Sequence, residues 1–147
     1  MMRIEAMKIK HFVDFMQHKR PKDVREIEII NNCPLGEIPV LNYADATVLV
    51  DDDDNVYAIG GVQQADVNLH IVWMLCTDRV EKHQITFLRT VKELLVRYLE
   101  KYNHLENVVW LGNEQHVKWL KWMGAKFFDV HKINGEDFQS FMFTQKE

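Results

Sequence analysis

Between Asp66 and Leu111 the chain reads strand, helix, strand, and that succession excludes most of the folds open to 147 residues. From Asp66 to Cys76, Val67, Leu69, Ile71, Trp73 and Leu75 alternate with Asp66, Asn68, His70, Val72 and Met74. A period of two predicts a strand with one core face and a second face that begins polar and turns apolar, as the floor of a cleft would. A polar segment from Thr77 to His83 follows, and then apolar residues step by three or four through Phe87/Leu88, Val91, Leu94/Leu95, Tyr98/Leu99 and Tyr102. That spacing predicts the longest helix, whose outer face carries Arg89, Lys92, Glu93, Arg97, Glu100 and Lys101 as ordinary solvated charge. Asn107 to Leu111 (NVVWL) is a short apolar run of the kind expected in a parallel strand buried on both faces. Two strands joined through a helix make a βαβ unit with a right-handed crossover.

The rest of the chain builds around that unit. Met2 to Met7 alternates loosely as a first strand, and Ile9, Phe12, Val13, Phe15 and Met16 recur at helical spacing. Pro21 suits the first turn of a second helix with a Val24, Ile27, Ile30 stripe, ended by Asn31-Asn32. Pro34, Gly36 and Pro39 mark a connecting loop between Cys33 and Asn42. Ala46 to Val50 and Val56 to Val62 read as a hairpin around Asp51-Asp52-Asp53-Asp54-Asn55. A calcium loop needs alternating ligands, a central glycine and a distal glutamate, so this acidic stretch reads as a solvated turn. After Leu111, Asn113 is placed to cap a helix whose inner face is Val117, Leu120 and Met123 and whose end is Gly124. Phe127 to Ile133 and Asp137 to Thr144 flank Asn134-Gly135, the strongest short hairpin signal in the chain. The order β-α-α-β-β-β-α-β-α-β-β is expected to form one mixed α/β domain over residues 1–147.

Composition removes several functions. With 18 Lys and Arg against 22 Asp and Glu, a net charge of −4 gives no basic field for nucleic acid. Trp110, Trp119 and Trp122 beside Lys118 and Lys121 therefore read as core edge or partner surface rather than base-stacking platforms. Cys33 and Cys76 match no zinc or redox spacing and read as free thiols, and the scattered histidines give no metal site. Charged residues interrupt every apolar stretch, so a soluble, cytoplasmic protein without a membrane segment is expected. No serine-hydrolase elbow, zinc-protease helix or P-loop is present.

The element order resembles the GCN5-related N-acetyltransferase superfamily, most closely from Asp66 to Phe127. Asn113-x-x-His116-x-x-x-Leu120-x-x-x-Gly124-Ala125 is similar to that family's N-x-x-A-x-x-x-Y-x-x-x-G-F pattern. A closer likeness is to acetyltransferase-fold internal virion or morphogenesis proteins of short-tailed bacteriophages. Their W-V-G-N-x-x-H-I-x-F-L-K-x-I-G-A-x-F signature resembles Trp110-Leu111-Gly112-Asn113-x-x-His116-Val117-x-Trp119-Leu120-Lys121-x-Met123-Gly124-Ala125-x-Phe127. The resemblance implies a mostly antiparallel mixed sheet with a splayed parallel strand pair and helices on both faces. It also implies acetyl-CoA as cofactor, its pantetheine arm between the splayed strands and its pyrophosphate on the loop and helix start that follow. On this chain the cofactor-binding candidates are Leu75, Thr77, Lys82, His83 and Asn113, with Arg79 as a further charge in that loop.

Two departures bear on chemistry. The superfamily's pyrophosphate loop is glycine-rich, whereas Thr77 to His83 has no glycine, and Leu120 stands where many members have a proton-donating tyrosine. His70 is the candidate base, with a core-edge histidine as the other reading; His116, at a helix start, is the second catalytic candidate, with packing or capping as the other reading. Two functions follow from the resemblance. One is acetyl transfer to an amine; the other is a virion-assembly or host-interaction module that keeps the fold without the chemistry, in the host cytoplasm or carried in the virion. Its partner would then be a phage or host protein, and the oligomeric state stays open.

Overall fold

A computed structural model describes residues 2–38 and 46–145, so the connecting loop from 39 to 42 lies outside the described residues. The strands are β1 (Arg3–Ala6), β2 (Thr47–Val50), β3 (Val56–Asp66), β4 (Leu69–Cys76), β5 (His104–Trp110), β6 (Lys126–Ile133) and β7 (Glu136–Thr144). The helices are α1 (Ile9–His18), α2 (Pro21–Asn31), α3 (Gln84–Tyr102) and α4 (Glu114–Trp122). The seven strands form one sheet in the order β1-β2-β3-β4-β5-β7-β6, with β4 and β5 parallel. Contacts divide the chain into two compact units: Met1–Gly61 with Met74–Phe87, and Val62–Trp73 with Leu88–Glu147.

In the first unit, β1 pairs β2 and β2 pairs β3, both antiparallel. Val48, Val50, Val56 and Ile59 are buried there together with Phe15 of α1. Each such side chain withdraws enough apolar surface to contribute about 1.5–3 kcal/mol. The start of α1 is closed by a side chain: His11 Nδ1 accepts the Lys8 N–H at 3.0 Å. α2 starts on Pro21 and stops at Asn32, whose φ of 51° is left-handed, as the Asn-Asn pair predicts. The loop after it holds a 3-10 turn, Leu35–Glu37.

In the second unit, β5 shares seven register pairs with β7, from His104↔Thr144 to Trp110↔Phe138. The sequence predicts a β5 buried on both faces. Instead Leu105 and Val109 are buried while Val108 and Trp110 are half-buried, the alternation of an antiparallel strand with one open face. β5 also begins three residues early, at His104. The strand expected from Asp66 to Cys76 is two pieces: Asp66 ends β3, Val67-Asn68 turn the chain, and β4 starts at Leu69. Asp66 Oδ1 accepts the Val67 N–H at 2.7 Å and Val67 is 77% exposed, so side-chain turn chemistry overrides the alternation. The turn at Asn134 (φ 49°) and Gly135 (φ 85°) joins β6 to β7 as predicted, and Gly124 (φ 97°) follows α4. Among the described residues no helix is long and apolar enough to cross a membrane.

Candidate functional site

The end of β4 and the turn after it, in the first unit, hold four of the sequence-selected cofactor residues. Thr77 is wholly buried, its N–H donating to the Tyr57 carbonyl (2.9 Å) and its Oγ1 to that of Val56 (2.7 Å). Neighbouring residues of an extended strand aim their peptide groups at opposite edges, so the Cys76 N–H and C=O face the edge of β4 away from β3. The junction of α1 and α2 takes both. The Cys76 N–H donates to Asp23 Oδ2 at 2.8 Å, and its carbonyl accepts the Arg20 N–H at 2.9 Å. Arg20 Nη1 in turn donates to Asp23 Oδ1 at 2.6 Å, and both side chains are buried. Burial pushes the Cys76 thiol well above its ordinary pKa, with the Asp23 carboxylate adding to the effect, the reverse of what a nucleophile needs.

The turn from Thr77 to His83 is a 3-10 segment, Asp78–Glu81, in place of a glycine loop. Arg79 is committed elsewhere: its guanidinium donates to both Asp14 oxygens (2.7 and 3.0 Å) and to the Val56 carbonyl (2.9 Å). Asp14 also accepts the Val56 N–H at 2.9 Å. Burial alone would raise the Asp14 pKa, but the Arg79 guanidinium and the Val56 N–H outweigh it and hold the carboxyl below 3.8. Leu75 is core. Lys82 and His83 are exposed, with the His83 ring 6.1 Å from Tyr57 and its carbonyl accepting the Phe87 N–H at the start of α3. Of the four, the two exposed side chains are those left facing solvent.

Glu5, His11 and Asp54 bring ligand-type atoms within 4.8 Å of one another, an arrangement not foreseen in the sequence. A metal does not suit it. His11 Nδ1 accepts a peptide N–H, so the ring proton sits on Nε2, the atom facing Asp54 (3.2 Å) and Glu5 (3.3 Å). Arg3 and Lys10 already bridge Asp54, whose pKa falls to about 2 through the Lys10 and His11 hydrogen bonds. The acidic turn is thus a charge-paired brace to α1 and β1.

In the second unit, the parallel ladder of β4 and β5 rests on the register pair Ile71↔Glu106. One residue on, a side chain replaces it: Asn107 Nδ2 donates to the Val72 carbonyl at 2.7 Å. His70 lies beside Tyr102 (ring centroids 4.7 Å) and His104 (6.1 Å), with a buried Nδ1 that has no hydrogen-bond partner among the described residues. Asn113 is completely buried after the far end of β5. It heads α4 through its backbone, its carbonyl accepting the Val117 N–H; its side chain makes no cap, contrary to the sequence reading. His116, half-buried, stands on the first turn of α4. The seven residues of β5 separate the His70–His104 cluster from Asn113 and His116, roughly 20 Å at strand rise. The two catalytic candidates, His70 and His116, thus lie at opposite ends of β5.

The signature Trp110-Leu111-Gly112-Asn113 has a packing basis. A Cβ on Gly112 would collide with the Trp110 indole, so Gly112→Ala is expected to cost about 1–2 kcal/mol through overpacking, read as a lower midpoint in urea. Trp119 belongs to the core, whereas Trp122 is 51% exposed under the Lys92 ammonium, 4.9 Å from the ring.

The thioester cofactor that the resemblance implies would place its pantetheine arm beside β4 and its pyrophosphate on the turn that follows, where N–H groups or positive charge would have to meet it. In the first unit the Cys76 peptide and the Arg79 guanidinium are engaged within the protein, and Lys82 and His83 are the exposed side chains left in the turn.

Comparison with known proteins gives two kinds of likeness. Residues 46–132 match the family described as bacteriophage T7, probable scaffold protein Gp13. The probable scaffold protein gp13 of Escherichia phage T7 is 35% identical over 77 residues, which cover 50% of this chain and 55% of that protein. The chain thus spans about half the length of the curated relative it matches. Among solved structures, a GNAT-family acetyltransferase from Bacillus anthracis superposes with a TM-score of 0.75 at 8% identity, covering 99% of this chain and 96% of that one. Spermidine N-acetyltransferase from Vibrio cholerae, in complex with CoA and spermine, gives 0.65 at 12% identity over 98% and 95%. At such identities the likeness establishes the acetyltransferase fold alone.

Proposed function

The chain belongs to the family of the bacteriophage T7 probable scaffold protein Gp13, and from that premise we propose that it is a non-catalytic virion-assembly protein, an acetyltransferase fold used for binding other phage proteins in the host cell. The observation that carries this reading is the closure of the outer β4 edge at Cys76 by Arg20 and Asp23. An enzyme of this fold would need that edge for the cofactor arm. The turn without glycine, the Asp14-bound Arg79 and Leu120 in place of a proton donor support the same reading.

Acetyl transfer from acetyl-CoA to an amine is the second reading. It is favoured by the single register pair between β4 and β5 and by the unpartnered Nδ1 of His70, which would serve as base with Asn113 on the cofactor. Calorimetry separates the two. The assembly reading expects no heat and no thermal shift with acetyl-CoA or CoA at millimolar concentration. Micromolar binding that weakens in Asn113→Ala or Lys82→Ala would establish the enzyme instead.

A further inference from the structure

The open face of the sheet in the second unit carries a groove of about 300 Å³. Strand register explains its walls. Ile71 lies beside Glu106, Glu106 opposite Met142 and Val108 opposite Ser140, so these side chains share one face with Leu69, two residues before Ile71. The bulge between Phe127 and Val130 breaks the alternation of β6 and brings Phe128, 50% exposed, to the rim of the groove. The lining is apolar save for Ser140, the Asn107 amide and one ionisable group, Glu106. Its carboxylate side chain is 37% exposed, and its ionic neighbour, His104 Nε2, is 3.5 Å away and already directed at the Asn68 carbonyl at 2.9 Å.

A carboxylate on an apolar floor selects a ligand that is greasy along its length and cationic at its tip. A groove at the low end of ligand-site volumes has room for one or two side chains rather than a cofactor. We infer that this groove is a docking site for an arginine side chain of a partner protein. Its methylene stem would lie on Leu69, Ile71 and Met142, and its guanidinium would reach Glu106 beside the Phe128 ring. Arginine fits better than a free polyamine, because the fork pairs with a carboxylate in two places while the flanking apolar surface calls for neighbouring side chains on the same partner. The inference rests on the assembly reading and adds the chemistry of the partner to it.

The test is an NMR titration of the full chain with a blocked Ser-Leu-Arg-Leu-Ser peptide, with citrulline replacing arginine in a matched peptide, and with spermine. Saturable shifts at the amides of Ile71, Glu106 and Phe128 are expected, with binding weakened about tenfold by citrulline or by Glu106→Gln. Phe128→Ala should weaken the arginine peptide more than the citrulline one. Each variant must melt with the parent protein. Equal affinity for the citrulline peptide, absence of shifts at those amides, or stronger binding of spermine at the same residues would each overturn the assignment. Failure here is separable from failure of the assembly reading. CoA uptake with intact peptide binding refutes the reading and spares the groove, whereas a chain that takes neither does the opposite.

Discussion

Asp23→Ala is expected to lower stability by about 3–5 kcal/mol, the range for removing one member of a buried ion pair. Asp23 is a shared acceptor. One carboxylate oxygen takes the Arg20 guanidinium and the other the Cys76 N–H, and all three residues are buried. Alanine leaves a charged donor and a peptide N–H facing the place the carboxylate held, with little water to replace it. Asp23→Asn is the informative companion, since an amide oxygen still accepts one of the two hydrogens and should recover part of the loss. Equilibrium urea unfolding followed by tryptophan fluorescence reads both variants. A midpoint for Asp23→Ala within error of the parent protein would mean that the α1–α2 junction does not pin β4, and the main support for the assembly reading would go with it.

How much of this was legible in the sequence depends on the range of the contact. The left-handed stops are readable because they are local: Asn134-Gly135, the Asn32 stop and Gly124 all take the left-handed backbone their residue types favour. The periodicity of α3 was likewise sufficient, since packing on one helix face leaves a direct trace every three or four residues. β4 and β5 differ from the sequence expectation at their ends for different reasons. Asp66 satisfies the β alternation and the turn equally well, and only the geometry of the turn decides. For β5, an apolar pentapeptide does not reveal that one of its faces stays open. The site was the least readable part. Asp14 meets Arg79 across 65 residues of sequence and Asp23 meets Cys76 across 53, and neither carboxylate stands in a motif. In the sequence alone Arg79 therefore reads as a charge available for phosphate, and only the fold supplies Asp14 as its partner. Glu106 is silent in the sequence for a similar reason. A single acid in a strand gains meaning from the apolar side chains that register sets around it.

The Asp14–Arg79 pair makes the second large effect, and its pH dependence identifies its cause. Asp14→Asn keeps the shape of the side chain but loses the charge to which the guanidinium donates twice, and at neutral pH the expected cost is about 2 kcal/mol. The folded protein holds the Asp14 pKa below its ordinary 3.8, so the carboxylate contributes its full stability above that value and loses it as pH falls through the lower, folded-state value. Asp51 and Asp54 are depressed in the same direction, Asp54 to about 2, so the parent protein should lose stability from roughly pH 4 downward toward pH 2. In the variant the Asp14 share of that loss is absent. The difference in unfolding free energy between parent and Asp14→Asn should therefore be largest near neutrality and shrink steadily below pH 4, where the parent's own Asp14 becomes protonated. Paired urea titrations at pH 7, 4 and 2.5 measure it. A gap of constant size across that series would assign the cost to lost packing or to the Val56 N–H bond rather than to charge, and Arg79 would then be free in energetic terms to meet an anion after all.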